Sequence, residues 1–360
     1  MIRSTRGLLS EMKKLLVFSL FIALSLSLAS AQEYRDVTEN DRPAFPRDFY
    51  FQKDYRVQWW YLTGHLFDES GREFGYELTF FVVGIQKREY RSKFGVKHIY
   101  ISHFAISDVT EKKYYFGDET DSGAFDFAGS SDKKLRVWVG ENTLDGTMTK
   151  MHIKASGKEK ALDLVLTPQK QVVLNGDRGY SRKSEKSPSL ASIYFSYTDI
   201  KTEGGLRIGD RTFQVKGKSW FDREISTRGL SDEETGWDWF GIQLDDRREI
   251  MLSIVRKKDG SVDRYSSGTV VYQDGRYRHL SLDDFKVKVL GRYRSKKTGT
   301  DYPSGWEIRI PSENLSLRVV PLIENQEFLA THSTGNYYWE GTCRVEGTGN
   351  GRAYVEMTGY

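Results

Sequence analysis

The sequence predicts an all-β protein with closed or nearly closed antiparallel sheets, and three observations support this class. Short runs rich in Val, Ile, Trp, Tyr and Phe recur about every 10–20 residues, with Gly, Asp, Asn or Lys between them. The only helical signal is a single turn around residues 280–285. Aromatic residues make up 14% of the chain while Pro and Cys are scarce, so a large apolar interior must stabilise the fold.

One stretch, residues 236–246, organises the rest of the prediction. Its density of Trp, Phe and Ile indicates a strand, and the acidic pair at its end, followed by two arginines, predicts a hairpin turn. On a two-residue period, Phe240, Ile242 and Leu244 share one face of this strand. Asp238 falls on that same apolar face, where a carboxylate is either paired or functional.

Strands are predicted along the whole chain. Residues 57–67 and 73–84 form the first predicted hairpin, with its turn at 68–71, and the polar stretch 175–189 is predicted to be a long loop. The other predicted strands are 98–108, 135–139, 149–156, 161–167, 193–199, 211–220, 249–256, 267–273, 276–280, 285–293, 305–310, 315–321, 337–346 and 353–358.

The first 31 residues have the layout of a secretory signal peptide. Lys13 and Lys14 precede an apolar run over residues 15–28, and Ala29-Ser30-Ala31 closes the run as a small-residue cleavage site. A membrane anchor is the alternative, but the run is short for a bilayer span. We therefore expect cleavage after Ala31, a secreted or periplasmic protein, and no membrane span after cleavage.

Composition limits the function classes. Removing residues 1–31 takes away four basic residues and one acidic residue, so 50 basic and 49 acidic residues remain. This balance gives no electrostatic reason to expect a nucleic acid partner. Cys343 is the only cysteine, which excludes an intrachain disulfide.

A weak internal repeat indicates two related barrels. Residues 59–68 align with residues 237–246 as an aromatic-rich strand followed by an acidic turn and a second apolar strand. In this alignment His65 lies opposite Gln243, and Asp238 replaces Trp60. Each copy would open its own sheet, so we predict domains at 32–225 and 226–360.

Three carboxylates are the main candidates for catalysis. Trp220, Asp222 and Glu224 share one strand face, whereas Arg223 lies on the other. One interpretation is an ion-pair network in which Asp222 or Glu224 neutralises Arg223 or a neighbouring arginine. The other is a buried acid that desolvation keeps protonated, so that it can donate a proton, and Asp238 fits this role too. Glu340 is a weaker candidate of the same kind.

Two histidines alternate with apolar residues in predicted strands. His65 is a candidate catalytic residue and His103 a candidate ligand-binding residue, although a lone strand histidine is more often structural. No histidine pair has a metal-ligand spacing, and no motif for a nucleophilic serine, a phosphate loop or a dinucleotide site is present, so we expect neither metal nor cofactor. Inward-facing aromatic side chains would suit an isoprenoid or acyl ligand, or would simply fill a dry core. The complete set of candidate ligand-binding residues is Trp60, Tyr61, His103, Trp220, Trp237, Trp239 and Gln243.

Four separated blocks carry a family resemblance. Residues 57–66, 219–224, 236–246 and 338–341, together with the final Thr358-Gly359-Tyr360, resemble the lipocalin-like family of carotenoid 1,2-hydratases and AttH-type proteins, which are often labelled predicted secreted hydrolases. The resemblance implies two lipocalin-like antiparallel β-barrels packed side by side. It leaves the function open, because the family mixes cofactor-free hydratases, pericyclase-like enzymes and members of unknown role.

These observations give one leading hypothesis and two rivals. The leading hypothesis is an exported protein that binds a hydrophobic, isoprenoid or lipid-like molecule and could hydrate a C=C bond without a cofactor. A non-catalytic lipid carrier of the cell envelope is the first rival, and a secreted hydrolase is the second. Ligand identity and oligomeric state stay open at this point.

Overall fold

The structure is a computed structural model that describes residues 34–87 and 95–360. The predicted signal peptide, residues 1–31, lies outside the described residues. The fold is nearly all-β, with 58% strand and 4% helix, and it has one nearly closed barrel and one half-barrel sheet. This confirms the all-β class and the two barrel-like units side by side. No helix in the described part of the chain is long and apolar enough to cross a bilayer.

The first sheet, the nearly closed barrel, is formed by the first half of the chain. Its strands are Val57–Asp68 (β1), Glu73–Gly84 (β2), His98–Asp108 (β3), Lys113–Asp121 (β4), Ala128–Ser130 (β5), Leu135–Val139 (β6), Asn142–Gly146 (β7), Met151–Gly157 (β8), Lys160–Pro168 (β9), Val173–Leu174 (β10), Tyr180–Arg182 (β11), Ala191–Ile208 (β12) and Arg211–Ser226 (β13).

The second sheet, the half-barrel, is formed by the rest of the chain. Its strands are Glu234–Leu244 (β14), Glu249–Lys257 (β15), Ser267–Val271 (β16), Tyr277–Ser281 (β17), Lys286–Val289 (β18), Trp306–Ile310 (β21), Leu315–Pro321 (β22), Glu327–Leu329 (β23), Tyr337–Gly347 (β24) and Gly351–Met357 (β25), while Arg292–Arg294 (β19) and Asp301–Pro303 (β20) pair separately. Short 3-10 helices lie at Arg47–Phe49, Ala124–Asp126, Leu282–Asp284 and Pro311–Glu313.

The topology agrees with the internal repeat. Strand β1 pairs with β2 and with β13, the last long strand of the first sheet. Strand β14 likewise pairs with β15 and with β25, the last strand of the second sheet. Each copy of the repeat therefore opens its own sheet. The predicted boundary lies at the end of β13, and the division into domains at 32–225 and 226–360 stays a prediction.

Several strand predictions needed correction. Strands β4 and β7 were not predicted, because their sequences are polar and only partly buried. Strand β12 extends to Ile208, well beyond the predicted end at residue 199, and a bulge between Tyr197 and Ile200 shifts its register. The predicted loop 175–189 contains the short strand β11.

Each of the two sheets has its own apolar core, formed by every second side chain of its strands. The barrel core contains Trp60, Leu62 and Leu66 of β1, and the half-barrel core contains Phe240 and Ile242 of β14. The opposite faces of β1 and β14 point towards the other sheet. Both faces of these strands are consequently buried, which explains why their sequences are apolar almost throughout.

Arg223 closes one end of the barrel core. Its guanidinium lies 3.8 Å over the ring of Trp60 and is fully buried. It donates hydrogen bonds to the Tyr50 carbonyl at 2.8 Å, to Gln58 Oε1 at 2.8 Å and to the Glu224 carbonyl at 2.9 Å. Burial lowers the pKa of Arg223 to about 9. The side chain thus fixes the N-terminal segment against β13.

Polar contacts around the edges of the area where the two sheets meet hold the sheets together. Lys170 Nζ lies 2.7 Å from Glu249 Oε2, and both side chains are almost fully buried. Arg352 Nη2 donates to Glu73 Oε2 at 3.0 Å on another rim. Gln243 Nε2 donates to the carbonyls of Thr198 and Ser219 in the first sheet. These contacts fix how the outer faces of the sheets meet.

The replacement Arg223→Met tests the role of this arginine. It keeps the aliphatic stem but leaves buried carbonyl groups without donors, so we expect the free energy of unfolding to fall by about 3 kcal/mol. Urea denaturation followed by circular dichroism measures the change. Arg211→Met, at an exposed position, is the control and should change stability by less than about 0.5 kcal/mol. Equal stabilities of the two variants would contradict this role.

Candidate functional site

A layer of aromatic side chains lies between the two sheets, and we call it the inter-sheet layer. The first sheet contributes from the outer faces of β1, β12 and β13, and the second sheet from β14, β15 and β25. Strand alternation sends these side chains out of both cores towards each other. Its apolar members are Trp59, Tyr61, Tyr194, Trp220, Trp237, Trp239, Met251 and Tyr354.

Asp222 lies within this layer and is held by three donors. Tyr194 Oη donates to Asp222 Oδ2 at 2.7 Å. Ser196 Oγ at 2.5 Å and Trp220 Nε1 at 2.7 Å both donate to Oδ1. Burial raises the pKa of Asp222 to about 7, although the three donors act in the opposite direction. Near neutral pH this carboxyl can therefore both donate and accept a proton.

Aromatic rings surround the Asp222 carboxyl. Trp239 Nε1 donates to the Tyr194 hydroxyl at 3.1 Å, which orients the hydroxyl towards Asp222. The Trp220 and Trp239 rings pack edge to face with centroids 5.8 Å apart, and Tyr61 packs in the same way on Trp239 at 5.2 Å. Such π faces can stabilise a cationic centre beside the acid.

Glu224 faces the same layer but is ion-paired. Lys183 Nζ lies 3.1 Å from Glu224 Oε2, and Ser192 Oγ donates to the same oxygen at 2.5 Å. Arg223 points into the barrel, so it neutralises neither Asp222 nor Glu224. The predicted ion pair with an arginine is therefore absent among the described residues, and Glu224 is paired with a lysine instead.

Three further glutamates enter the layer. Burial, reinforced by neighbouring carboxylates, raises the pKa of Glu340 well above its usual value, and burial does the same for Glu77. Glu356 keeps some solvent access, yet its packed surroundings raise its pKa to about 7. Sequence reasoning found Glu340 but missed Glu77 and Glu356. The sequence signal that could have identified Glu77 and Glu356 is a carboxylate inside an otherwise apolar strand, the pattern that singled out Asp238.

The same layer contains polar atoms that lack a hydrogen bond of ordinary geometry. Within residues 34–87 and 95–360 these are the Tyr354 hydroxyl and the carboxyl oxygen Glu77 Oε2, while the Tyr61 hydroxyl and Glu340 contact each other. All of them are buried. Unpaired buried polar atoms are rare in folded proteins, and they often mark functional positions.

His103 belongs to a hydrogen-bonded chain at the edge of the layer. Its Nδ1 lies 2.7 Å from the Tyr338 hydroxyl, and its Nε2 lies 3.0 Å from Ser333 Oγ. Ser333 Oγ donates to Asp118 Oδ2 at 2.6 Å. Burial lowers the pKa of His103 to about 4, so the ring is neutral at physiological pH. In this chain the acid contacts the serine, whereas a Ser–His–Asp hydrolase needs it on the histidine.

His65 and Gln243 occupy another part of the sheet contact. His65 Nδ1 is 2.8 Å from Thr342 Oγ1, and burial lowers the pKa of His65 to about 3. Its nearest acid contact, Glu73 Oε1, is 4.0 Å away, beyond hydrogen-bond distance. The Gln243 amide nitrogen donates to two backbone carbonyls of the first sheet, those of Thr198 and Ser219. Both side chains join the sheets, which is a structural arrangement.

Asp238 and Trp60 lie away from the layer, one in each core. Asp238 accepts from Arg256 Nε at 3.1 Å and from the Tyr360 hydroxyl at 2.8 Å. The predicted apolar face therefore holds a paired carboxylate. Trp60 donates to the Phe49 carbonyl at 2.8 Å inside the barrel. The structure thus brings together Asp222, Glu224, Tyr61, Trp220, Trp237 and Trp239, and it separates Asp238 and Trp60 from them.

These features define a class of protein: two lipocalin-like β-sheet units with a carboxyl-containing aromatic layer buried between them. A family model described as AttH-like matches residues 36–360, so the chain belongs to the AttH-like family. This agrees with the resemblance that the four sequence blocks carry.

Named relatives share sequence or fold with the chain. Dehydratase asqC of Emericella nidulans is 23% identical over 267 residues, which cover 70% of this chain and 73% of the relative. A crystal structure from Nitrosomonas europaea described as AttH has a TM-score of 0.83 at 28% identity, covering 91% of this chain and 99% of that one. Kievitone hydratase from Nectria haematococca has a TM-score of 0.67 at 15% identity, covering 91% and 96%, and this shows a shared fold.

The raised pKa of Asp222 predicts a pH-dependent stability. Between about pH 4 and pH 7 the folded protein keeps a proton on this carboxyl that the unfolded chain releases, so stability falls as pH rises through this window. In the Asp222→Asn variant, the decrease in the free energy of unfolding over this pH window should be smaller by up to about 4 kcal/mol. Urea denaturation at several pH values measures the slope. Asp210→Asn, at an exposed position, should leave the slope unchanged, and an unchanged slope in Asp222→Asn would contradict the assignment.

Proposed function

We propose that the protein is a cofactor-free hydro-lyase that adds water to, or removes it from, a small hydrophobic molecule bound in the inter-sheet layer. One observation carries the proposal: Asp222, a carboxyl with a pKa of about 7, lies buried among tryptophan and tyrosine rings. General acid catalysis works best when the pKa of the acid is close to the working pH. The environment also excludes bulk water, which strengthens electrostatic effects on a developing charge.

The proposed reaction needs one acid and one apolar pocket. Protonated Asp222 transfers its proton to one carbon of a C=C bond, and the π electrons form the new C–H bond. The other carbon becomes a tertiary cation next to the faces of Trp220 and Trp239. A water molecule adds to this cation and returns a proton to the Asp222 carboxylate, which restores the acid. The reverse sequence removes water from a tertiary alcohol.

Substrate access is proposed at the partly exposed edge of the layer. Trp59 and Trp237 pack on the buried rings but keep some solvent access, as does Glu356. An apolar molecule would enter between these side chains, because another edge of the layer is closed by the Lys170–Glu249 ion pair.

Comparisons support this reaction class over the rivals. The relatives named above include a dehydratase and a hydratase, which catalyse the two directions of one reaction type. A carrier needs no acid with a pKa near 7 in its ligand layer. The hydrolase interpretation lacks support as well, because within residues 34–87 and 95–360 neither His65 nor His103 forms a hydrogen bond with a carboxylate.

Asp222→Asn is the direct test of the reaction. Geraniol and farnesol would be incubated with the protein in ¹⁸O-labelled water, and labelled diols would be detected by mass spectrometry. We expect a loss of turnover of about 10²–10⁴-fold in Asp222→Asn, with binding retained, because the amide keeps the shape but cannot supply the proton.

Asp238→Asn is the matched control for this experiment. It weakens the contact with Arg256 and should lower stability while leaving turnover at the Asp222 site within a few fold. Turnover that survives in Asp222→Asn but disappears in a folded Asp238→Asn protein would refute the assignment.

We also propose export, followed by cleavage after Ala31. N-terminal sequencing of the protein from its own cells should give a chain that starts at Gln32. Ala31→Leu should block processing, because signal peptidase requires a small residue before the cut. A chain that keeps its first residues and stays inside the cell would contradict export.

A further inference from the structure

We infer that the inter-sheet layer contains a polar subsite for a neutral oxygen group, so that its ligand is a hydrophobic alcohol or ketone and not a pure hydrocarbon. The subsite consists of Tyr61, Tyr354, Glu77 and Glu340. The inference deepens the proposed function and rests on it for the position of the ligand. It starts from the unpaired polar atoms in the layer.

These atoms are too concentrated to be incidental. The Tyr354 hydroxyl and Glu77 Oε2 are buried without a hydrogen-bond partner within residues 34–87 and 95–360, and the buried Tyr61 hydroxyl contacts Glu340 close to them. Leaving one such group unpaired costs roughly 1–3 kcal/mol. A ligand that supplies a donor and an acceptor would satisfy several of them together.

Both sheets contribute to the subsite. Tyr61 and Glu77 lie on β1 and β2, while Glu340 and Tyr354 lie on β24 and β25. Tyr61 pairs directly with Thr79 on one side and with Asp222 on the other. The subsite therefore adjoins the proposed acid, so a bound oxygen group would place the rest of the ligand beside Asp222.

The charge state of the subsite favours a neutral partner. Burial raises the pKa of both Glu77 and Glu340 and of the tyrosines Tyr61 and Tyr354, which favours the neutral form of each group. A protonated carboxyl offers one donor and one acceptor, and a tyrosine hydroxyl offers the same. Alcohols and ketones complement these groups, whereas a hydrocarbon would leave them unpaired.

The test compares two probes of the same carbon number, one with a hydroxyl group and one without. Farnesol and farnesene would be titrated against the protein purified from its own cells, with quenching of tryptophan fluorescence as the readout. We expect farnesol to bind about tenfold more tightly than farnesene, the effect of one or two new hydrogen bonds. Tyr61→Phe and Tyr354→Phe should each reduce this ratio to less than about threefold, mainly by weakening farnesol binding.

Stability gives a second readout that does not require a ligand. Tyr354→Phe removes a buried hydroxyl without a partner, so it should leave the melting temperature unchanged or raise it. Tyr76→Phe is the matched control, because the Tyr76 hydroxyl is buried in the barrel core and lies 2.6 Å from Ser219 Oγ. This control should lower the melting temperature and leave the farnesol preference intact.

The outcomes separate the subsite from the proposed reaction. Equal binding of the two probes, no binding of either, or a preference that survives in both tyrosine variants would overturn the subsite. A preference that depends on Tyr61 and Tyr354 supports it even if no probe is turned over. Turnover that depends on Asp222 but shows no oxygen preference would keep the proposed function and refute the subsite.

Discussion

The structure depends on strands that are buried on both faces. Strands β1 and β13 send alternate side chains into the barrel core and into the inter-sheet layer, and β14 does the same for the half-barrel. A shift of register by one residue would exchange the two sets. It would place Arg223 among the aromatic rings of the layer and Asp222 in the barrel. Packing on both sides therefore fixes the position of the acid.

Burial and hydrogen bonding act against each other at Asp222. Withdrawal from water favours the neutral carboxyl, whereas the donors Tyr194, Ser196 and Trp220 favour the carboxylate. The balance leaves the pKa near 7, in the range useful for proton transfer. Glu224 shows the alternative, because its contact with Lys183 makes it an ion-pair partner. Two carboxylates on one strand face thus have different roles because their neighbours differ.

The contact between the sheets serves both stability and function. Its rims are closed by the Lys170–Glu249 and Arg352–Glu73 pairs and by the Gln243 amide, so the centre is shielded from water. The centre contains polar groups that the protein itself does not satisfy. Buried carboxyls without a cationic partner lower stability, and proteins commonly tolerate such losses at sites of binding or catalysis.

The sequence by itself determined the all-β class, the two sheets that each begin with a repeat copy, and the faces on which Asp222, Arg223 and Asp238 lie. These follow from alternation, which is a local property of a strand. Only the tertiary structure decided which of the acids lie together. Asp238 shares its face with apolar residues as a catalytic acid would, yet Arg256 and Tyr360 pair it. Glu77 and Glu356 join Asp222 because distant strands meet across the sheets, and no local pattern encodes that contact.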